Sequence, residues 1–359
     1  MAKKLTSRVF VAMSGGVDSS VAAALLRDSG YQVIGVFIKI ANFSEQWGVK
    51  CTWREERREA MRAVAHLGIP LVTIDLSKEY EKQVVDYMIR EYRAGRTPNP
   101  DVMCNREIKF GAFYRWAMVQ GADYVATGHY VTIGHEVSKF KLFRAKDPAK
   151  DQSYFLWTLT QDQISHCLFP IGTYKKSQVR KLAKKFGLPN AEKKDSQGLC
   201  FIGDWNLKDF LAKFIPEKTG KVVNKTGEII GTHRGAAFYT IGERHGLTIT
   251  KKTPADQPYY VVAKDIKKNI LIVGRRHLDT KCPNLITLSD VNWIVGIAPD
   301  LTKIYQVQIR YHGTPYRCRL LVTKNHTQLT FLDQPQACAS GQSAVIYDSE
   351  VMLGGGVIV

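Results

Sequence analysis

Runs of apolar residues alternate with amphipathic stretches over the first part of the chain. The apolar runs are rich in Val and Ile, which is typical of buried parallel strands, and they begin at Arg8, Tyr31, Leu71 and Tyr124. Apolar positions at helical spacing predict a helix from Val17 that stops at Gly30, and helices over 54–67, 78–94 and 106–120. This alternation predicts an α/β fold with a doubly wound parallel sheet and a ligand at the carboxyl ends of the strands.

The pattern changes near residue 205. After a short helix at 207–214, short apolar runs and turn signals follow one another at even spacing, which predicts small β domains. The last run, from Ala344 to the C-terminal Gly-Gly-Gly-Val-Ile-Val, is typical of a closing hairpin. We therefore predict a doubly wound α/β domain over 1–205, a small β-rich central domain over 206–281 and a C-terminal β-barrel over 282–359.

The first strand passes into the first helix through Ser14-Gly15-Gly16. Glycine lets the backbone approach an anion closely, and the N–H groups and dipole of a helix N-terminus favour negative charge. Ser14 and Ser19 add hydroxyl donors, and Asp18 can hold a Mg²⁺ that bridges phosphates. The turn therefore predicts a phosphate site, although the sequence fits neither the P-loop NTPase pattern nor the dinucleotide-binding pattern.

The segment Ser-Gly-Gly-Val-Asp-Ser-Ser at 14–20 resembles the PP-loop of the ATP pyrophosphatases. This resemblance implies cleavage of ATP between the α- and β-phosphates and adenylation of a substrate. It leaves the substrate open, because other PP-loop families adenylate carboxylates, xanthine nucleotides or tRNA bases. Thr127-Gly128-His129 also follows a predicted strand, so we expect it to face the same site as the loop.

Net charge and cysteine content narrow the class of protein. The chain has 51 Lys and Arg against 33 Asp and Glu, a net charge of +18, which favours a polyanionic partner such as nucleic acid. Charge alone would equally fit a basic surface that only aids solubility. The seven cysteines have no regular spacing, and the sequence has neither the apolar core of a signal peptide nor an apolar run of membrane length. We therefore expect a cytoplasmic protein that does not contact a membrane.

Cys104 and Cys200 lie in polar stretches that we expect to be irregular loops with accessible thiols. A reactive thiol needs access and a lowered pKa, which Arg106 near Cys104 and Lys193 and Lys194 near Cys200 would favour. Such a pair permits sulfur chemistry, in which one cysteine carries a persulfide and the other attacks it, closing a disulfide. The sequence contains no Cys-x-x-Cys motif and no His at the spacing of metal ligands, so it does not predict a metal cluster bound by protein side chains. We interpret the other cysteines as small buried hydrophobic residues: Cys51, Cys167, Cys282, Cys318 and Cys338.

Seven further segments, in order along the chain, resemble the tRNA-specific 2-thiouridylases. They lie at 96–111 around Cys104, 126–130, 150–157, 194–203 around Cys200, 239–247, 341–345 and 353–356. Each segment is a weak signal by itself, but the ordered set is highly specific. The resemblance implies that ATP adenylates the 2-carbonyl oxygen of the wobble uridine of tRNA, releasing pyrophosphate. A cysteine persulfide then replaces that oxygen with sulfur, and AMP leaves.

The resemblance also implies roles for individual residues. Cys200 would carry the persulfide, and Cys104 would be the nucleophile that helps to release its outer sulfur, leaving a Cys104–Cys200 disulfide for reduction. Asp101 would be the general acid/base, and Asn99 and Pro100 would help to place the target base. The residues implied to bind ATP are Ala12, Met13, Ser14, Gly15, Gly16, Val17, Asp18, Ser19, Ile38 and Gly128. Those implied to contact tRNA are His129, Lys150, Asp151, Gln152, Arg310, Tyr311 and Gln342.

Cofactors and partners are implied in the same way. They are ATP with Mg²⁺, the anticodon loop of tRNA, and a persulfide-donating sulfur-relay protein or a cysteine desulfurase. We expect a monomer, with one basic chain on each tRNA. Two positions depart from the family pattern, because Ile38 stands where Met is usual and Glu243 where Gln is common. The sequence gives no reason for the charge of Glu243.

Two alternatives come from other classes of protein. One is another PP-loop adenylating ligase or amidotransferase acting on a small substrate, which would need neither the cysteine pair nor basic β domains. The other is a non-catalytic tRNA-binding protein with a relic nucleotide loop, against which the intact Ser14 and Asp18 argue.

Overall fold

A parallel sheet of five strands forms the centre of the N-terminal part of the chain. The computed structural model describes residues 7–40, 53–136, 138–195, 207–250, 257–275, 282–323, 326–335 and 337–359. The elements up to residue 195 are β1 (Arg8–Ala12), α1 (Val17–Asp28), β2 (Gln32–Lys39), α2 (Trp53–Leu67), β3 (Leu71–Asp75), α3 (Ser77–Tyr80, Glu81–Val85 and Asp86–Arg93), α4 (Pro100–Met103, Cys104–Phe113 and Tyr114–Val119), β4 (Tyr124–Ala126), β5 (Thr132–Glu136), β6 (Lys139–Phe143), a 3₁₀ turn (Ser153–Phe155), α5 (Gln161–Ser165), β7 (Cys167–Leu168) and α6 (Lys176–Lys185).

The strand order β3-β2-β1-β4-β7 places β1 at the centre of the sheet, with all neighbours parallel. Side chains of β1 alternate between the two faces, since Val9 and Val11 pack in one buried cluster and Phe10 in another. From β1 the chain passes to β2 and β3 on one side of β1, and later strands β4 and β7 lie on its other side. This switch point opens a crevice at the carboxyl end of β1, where ligands bind in such folds. The predicted doubly wound α/β fold is confirmed.

The polar stretch around Cys104 was predicted to be an irregular loop. This prediction is wrong for the residues from Pro100 onwards, which are helical. Helix α4 begins at Pro100, with Asn99 as its N-cap, and runs to Val119 with a π-helical stretch from Cys104 to Phe113. The physical reason is that proline is tolerated at the first position of a helix, where no intrahelical bond needs its missing N–H. Pro98 and Pro100 therefore precede and begin a helix, and do not mark a long loop.

The second half of the described chain is almost entirely β. Its elements are α7 (Leu207–Leu211), β8 (Gly220–Val223), β9 (Ile229–His233), a 3₁₀ turn (Ala236–Phe238), β10 (Thr248–Ile249), β11 (Tyr260–Asp265), β12 (Ile270–Gly274), β13 (Leu285–Trp293), β14 (Tyr305–Gln308), β15 (Tyr316–Val322), β16 (Thr327–Phe331), β17 (Ser343–Asp348) and β18 (Val351–Ile358). Strands β8 to β12 form a small central sheet of order β10-β9-β8-β12-β11. The predicted β-rich central part is confirmed.

The last six strands form a closed antiparallel barrel of order β13-β16-β15-β14-β17-β18, because β18 also pairs with β13. Closure needs Gly354, where a Cβ would lie 2.1 Å from the Asn292 carbonyl oxygen and φ is +151°. The predicted closing hairpin is β17–β18, and the predicted C-terminal barrel is confirmed. Hairpin β5–β6 of the N-terminal part pairs with the start of β18 and joins the two halves of the chain.

Two cysteines differ from their predicted roles. Cys282 and Cys338 form a disulfide across 56 residues, so the interpretation of both as separate buried hydrophobic residues is wrong. The bond ties the chain just before β13 to the segment just before β17. Cys167 and Cys318 are buried as predicted, and Cys51 lies outside the described residues. None of the helices in the described part is both long and apolar enough to span a bilayer.

Candidate active site

In the turn after β1, serine hydroxyl oxygens accept hydrogen bonds from backbone N–H groups of the same turn. The Ser14 N–H donates to Ser19 Oγ at 3.3 Å, and the Gly16 N–H donates to Ser14 Oγ at 3.3 Å. Gly15 has φ of +72°, and a Cβ there would lie 2.2 Å from the Glu56 carbonyl oxygen, so only glycine fits. Ser14 is exposed at the edge of the sheet, at the N-terminus of α1. The turn has the glycine backbone and helix N-terminus that a phosphate requires.

The ends of β1 and β4 meet, as the sequence predicts. A Cβ on Gly128 would lie 2.7 Å from the Ser19 backbone nitrogen and 2.8 Å from the Asp18 carbonyl carbon, so β4 ends directly against the first turn of α1. Ile38, at the neighbouring end of β2, is 3% exposed and packs in the core behind this edge. Glycine at 128 therefore keeps the crevice beside the phosphate loop open.

Two side chains, Lys176 and Tyr130, converge on the carboxylate of Asp18 beside the loop. The ammonium group of Lys176 lies 2.8 Å from both carboxylate oxygens of Asp18, and the Tyr130 hydroxyl donates to Asp18 Oδ1 at 2.8 Å. Lys176 also lies 2.8 Å from Asp195 Oδ1. Burial raises the pKa of Tyr130, and the neighbouring Asp18 charge raises it further. The hydroxyl therefore stays protonated and donates to the carboxylate.

Asp195 is the second centre of this charge network. Burial would raise its pKa, but hydrogen bonds from Lys150 and Lys176 outweigh burial and bring the pKa to about 2. Lys150 lies 2.8 Å and Arg180 2.7 Å from its oxygens. Asp195 is thus ionised at any physiological pH, and one carboxylate organises three cations next to the phosphate loop.

The segment that leads to Asp195 is anchored on the phosphate loop itself. Asn190 Nδ2 and Lys193 Nζ both donate to the Gly15 carbonyl oxygen at 3.2 Å, and Arg180 donates to the carbonyls of Ala191 and Lys193. Cys200, the predicted persulfide carrier, follows Asp195 by five residues and lies outside the described residues. The last described residues before Cys200 are therefore held at the phosphate loop.

A magnesium ion fits this site only as a companion of phosphate. Within the described ranges, no group of three or more His, Cys, Asp or Glu is placed to hold a metal. Mg²⁺ is commonly held by one or two carboxylates plus substrate phosphates, and Asp18 supplies one such carboxylate at the loop. The donor set thus suits an ion that arrives with a nucleotide.

Cys104 lies one helical turn into α4 and is 1% exposed, so the prediction of an accessible thiol is wrong. It belongs to the same large buried cluster as Val102, Ile108 and Phe110, and the Asn105 amide donates to the Phe155 carbonyl at 3.1 Å. The reason for the burial is that the polar stretch continues as a helix whose other face packs in the domain. Arg106 is exposed and pairs with Glu107 at 2.8 Å.

Helix α4 also reaches the phosphate site. Lys109 Nζ lies 3.4 Å from His129 Nε2, and the other ring nitrogen lies 2.7 Å from Thr127 Oγ1. A lysine ammonium only donates, so Nε2 accepts and Nδ1 carries the proton. Burial lowers the pKa of His129 well below its usual value, and the Lys109 charge lowers it further. His129 is therefore a neutral, 8% exposed residue that joins α4 to the end of β4.

The remaining residues predicted to contact tRNA fall into two groups. Asp151 is buried, and binds Arg144, the Ala145 N–H and Ser153, while Gln152 accepts from the Tyr130 N–H. Gln342 donates to the carbonyls of Thr97 and Pro98. The second group is Arg310, which is exposed, and Lys150 and Tyr311, which are partly exposed.

Tyr311 forms an aromatic platform beside the start of α4. Its ring centroid lies 4.4 Å from that of Phe155 and 3.9 Å from that of His312. Burial raises its pKa to about 12, to which the charges of Asp151 and Asp101 contribute. Asp101, the predicted acid/base, is thus an electrostatic neighbour of a partly exposed ring on the barrel.

The sequence patterns did not indicate Lys176, Tyr130 and Arg180 as site residues. The signal available for two of them was the basic helix after 175, whose Lys176 and Arg180 lie one turn apart. Tyr130 follows the Thr127-Gly128-His129 segment that was already assigned to the site.

Models of protein families match nearly the whole chain. They are described as "tRNA methyl transferase HUP domain" at residues 7–204, "tRNA methyl transferase PRC-barrel domain" at 208–275 and "Aminomethyltransferase beta-barrel domain" at 284–358.

Full-length relatives carry a different description. A protein of Thiobacillus denitrificans named tRNA-specific 2-thiouridylase MnmA is 43% identical over 359 residues, which cover 99% of this chain and 100% of that one. The protein of the same name from Listeria monocytogenes is 42% identical over 353 residues, 98% of this chain and 94% of that one. A protein of Nitrosomonas eutropha with this name is 44% identical over 357 residues, 98% of each chain.

Two solved structures share weaker similarity. A 4-thiouridine synthetase–RNA complex with bound ATP is 18% identical, covers 58% of this chain and 50% of its own, and has a TM-score of 0.35. The NMN synthetase of Francisella tularensis is 18% identical, covers 54% of this chain and 69% of its own, and has a TM-score of 0.33. These scores are too low to bear on function.

Proposed function

The chain belongs to the family of tRNA-specific 2-thiouridylases, and we propose that it uses ATP to thiolate the 2-position of the wobble uridine of tRNA. The observation that carries the proposal is the anchoring of the 190–195 segment on the phosphate loop through the Gly15 carbonyl. It joins a nucleotide-type site to the chain that reaches Cys200 five residues beyond Asp195. Activation by a nucleotide and delivery of sulfur would then take place at one edge of the sheet.

The nucleotide would lie at the turn after β1. Its phosphates would accept from the N–H groups at the start of α1, and its adenosine would lie against Ile38 and Gly128. The residues that would bind it are Ala12, Met13, Ser14, Gly15, Gly16, Val17, Asp18 and Ser19. Mg²⁺, held by Asp18 and the phosphates, would neutralise charge on the pyrophosphate that leaves. Lys176 would then turn from Asp18 towards the phosphates.

Adenylation would activate an unreactive carbonyl. The uridine O2 would bond to the α-phosphorus as pyrophosphate leaves, which makes C2 electrophilic and gives it AMP as a leaving group. Asn99 and Pro100 would place the base, and Asp101 would act as the general acid/base. The wobble base must leave the anticodon stack to reach this site, which costs less in a loop than in a duplex.

The sulfur step would use both cysteines. The outer sulfur of a Cys200 persulfide would bond to C2, and the C2–O bond would break as AMP leaves. Cys104 Sγ would bond to Cys200 Sγ as the bond from Cys200 to the outer sulfur breaks. The resulting disulfide would need a thiol reductant, and a persulfide-bearing relay protein or desulfurase would recharge Cys200. Because Cys104 is 1% exposed, side chains over its thiol would have to move aside when tRNA binds, while the backbone of α4 stays in place.

Direct tRNA contacts would be made by Arg310, which is exposed, and by Lys150 and Tyr311, which are partly exposed. Arg310 and Lys150 would bind phosphates, and Tyr311 would stack on a base beside Asp101. His129, Asp151 and Gln152 would shape this surface from beneath, since their polar groups are bonded within the protein. The net charge of +18 would provide the remaining attraction.

Reconstitution tests the proposal. The full chain is incubated with ATP, Mg²⁺, a persulfide donor and unmodified tRNA, and the digested nucleosides are analysed by mass spectrometry. We expect exchange of oxygen for sulfur on uridine with the wild type, and none with Cys200→Ser or Cys104→Ser. The matched control Cys318→Ala changes a buried barrel cysteine and should thiolate normally.

Other outcomes would change the assignment. Thiolation that persists in Cys200→Ser would move the persulfide to another thiol. Methylated uridine in place of thiouridine would favour the activity named by the family models. Release of AMP on a small substrate, without any change to tRNA, would favour another PP-loop ligase or amidotransferase.

A further inference from the structure

The barrel binds the backbone just before the Cys104 helix. The Thr97 N–H donates to the Ser340 carbonyl at 2.8 Å, and Gln342 Nε2 donates to the carbonyls of Thr97 at 3.0 Å and Pro98 at 3.2 Å. Residues 97 and 98 are themselves buried. Three hydrogen bonds thus join one short stretch of the N-terminal part to residues 340–342 in the barrel.

Gly341 brings the two backbones into direct contact. A Cβ at this position would lie 2.8 to 3.0 Å from the carbonyl oxygen, carbonyl carbon and nitrogen of Thr97, and φ is +94°. A side chain would have to displace backbone atoms, so only glycine allows this approach.

The central sheet holds the same stretch from another direction. A Cβ on Gly95 would lie 2.4 Å from Ile266 Cγ1, and Thr97 Oγ1 donates to Thr240 Oγ1 at 3.2 Å. Residues 95–98 are therefore enclosed by the central sheet and the barrel, although they belong to neither.

The geometry of α4 depends on this stretch. Asn99 Oδ1 caps the helix by accepting from the Val102 N–H at 3.2 Å; Asp101 lies in the first turn, and Cys104 begins the next one. The face of this turn formed by Asn99, Val102 and Met103 borders a cavity of about 170 Å³ shared with Gly341 and Ser343 of the barrel. Packing on that face is incomplete. We therefore expect the hydrogen bonds to residues 97 and 98 to contribute more to the position of this turn than they would beside a fully packed face.

We propose that Gln342, together with Gly341, is a positioning residue that fixes the Asn99–Cys104 segment and keeps Cys104 buried. This inference rests on the proposed function for its catalytic consequence, but not for its structural one. It gives the Gln342 amide a contact with the protein backbone in addition to the tRNA contact that the resemblance implies. The barrel would thus set the geometry of the acid/base and the nucleophile from outside the α/β domain.

Alkylation of Cys104 tests the structural part without substrate. The full chain is treated with iodoacetamide in the absence of ATP and tRNA, and the rate at each cysteine is measured by peptide mass spectrometry. Gln342→Met keeps the length of the side chain but removes its donors, so we expect Cys104 to react about tenfold faster. The matched control Gln306→Met changes an exposed barrel glutamine and should leave the rate unchanged.

Cys318 is an internal reference for the fold, because it is fully buried in the barrel. Its rate should be the same in all three proteins. A rise at both Cys104 and Cys318 would mean general loosening of the barrel and would count against the proposal. Equal Cys104 rates in Gln342→Met and the wild type would overturn it.

Kinetics with tRNA test the catalytic part. We expect kcat for thiolation, measured at saturating tRNA, to fall in Gln342→Met, whether or not the Kd for tRNA also changes. A weaker Kd with unchanged kcat would identify Gln342 as a tRNA contact only and would overturn the proposal. If the wild type does not thiolate tRNA, the proposed function fails, while the alkylation result still decides whether Gln342 positions the segment.

Discussion

Lys176 bridges the two carboxylates that border the candidate nucleotide site. Its Nζ lies 2.8 Å from each carboxylate oxygen of Asp18 and 2.8 Å from Asp195 Oδ1. The side chain is only 15% exposed, so water screens these contacts weakly. Without the ammonium group, two partly buried negative charges would face an incoming triphosphate. The cation therefore makes the phosphate loop able to accept an anion.

Substitution of Lys176 by Met should abolish most of the ATP chemistry. The variant keeps the aliphatic stem but leaves Asp18 without its ion pair, and it removes a cation from the developing pyrophosphate. We expect tRNA-dependent pyrophosphate release to fall by about 100-fold, the range seen when one electrostatic contact to a transition state is lost. The measurement is a continuous pyrophosphate assay at saturating tRNA.

Two further variants make this result specific. Lys181→Met removes an exposed lysine from the same helix and should retain full activity. Lys176→Arg keeps the charge and should recover part of the rate. Pyrophosphate release at the wild-type rate in Lys176→Met would show that the lysine acts only in the resting protein.

His129 should make stability depend on pH below neutrality. Burial, with Lys109 nearby, lowers its pKa in the folded chain below that in the unfolded chain. Between these two values the unfolded state binds more protons, so the free energy of unfolding decreases as the pH falls below about 6.5. His129→Gln should flatten this decrease in urea titrations between neutral and mildly acid pH. The exposed His326→Gln is the control, and equal slopes in all three proteins would contradict the assignment.

Local patterns were sufficient for the α/β part of the fold. Strands β1 and β2 are buried on both faces, so their apolar runs stand out, and Gly15 marks a turn that only glycine can form. The meeting of Gly128 with Ser19 also followed, because parallel strands end at the same edge.

Non-local contacts were beyond the reach of these patterns. The pairing of β6 with β18 joins positions about two hundred residues apart, and no periodicity within either strand indicates its partner. The Cys282–Cys338 bond and the ion pairs of Lys176 have the same origin in tertiary proximity. Cys104 was misjudged for a local reason, since its polar stretch was expected to be an irregular loop, whereas Pro100 begins a helix there.

Loss of the disulfide should destabilise the barrel and loosen its hold on residues 97–98. Cys338 precedes Ser340 by two residues, and its partner Cys282 accepts from the Gln334 amide at 3.2 Å. We expect Cys338→Ser to lower the free energy of unfolding by about 2–4 kcal/mol in urea. Dithiothreitol should destabilise the wild type but have no further effect on the variant. An unchanged midpoint in Cys338→Ser would show that the bond adds nothing to stability.

Glu243, whose charge the sequence left unexplained, closes a turn in the central domain. Its Oε2 accepts from the Thr240 N–H at 3.0 Å, and its Oε1 lies 2.6 Å from Lys208 Nζ. It also interacts electrostatically with the half-buried Lys264, which donates to the Tyr239 carbonyl at 2.7 Å. Burial lowers the pKa of Lys264 to about 8, and the Glu243 charge opposes that shift. One carboxylate therefore serves a turn and two lysines beside the Thr97–Thr240 contact.

Glu243→Gln should consequently destabilise the chain by about 1 kcal/mol, since it keeps an acceptor for Thr240 but loses the ion pair with Lys208. A double-mutant cycle with Lys208→Met in urea isolates that pair, and we expect the double variant to be more stable than the sum of the single effects predicts. The pKa of Lys264 should fall further in Glu243→Gln. The free energy of unfolding would then begin to rise at a lower pH than in the wild type, because the folded state releases the Lys264 proton before the unfolded state does. Strictly additive effects in the cycle would mean that Glu243 acts through Thr240 alone, and not through its charge.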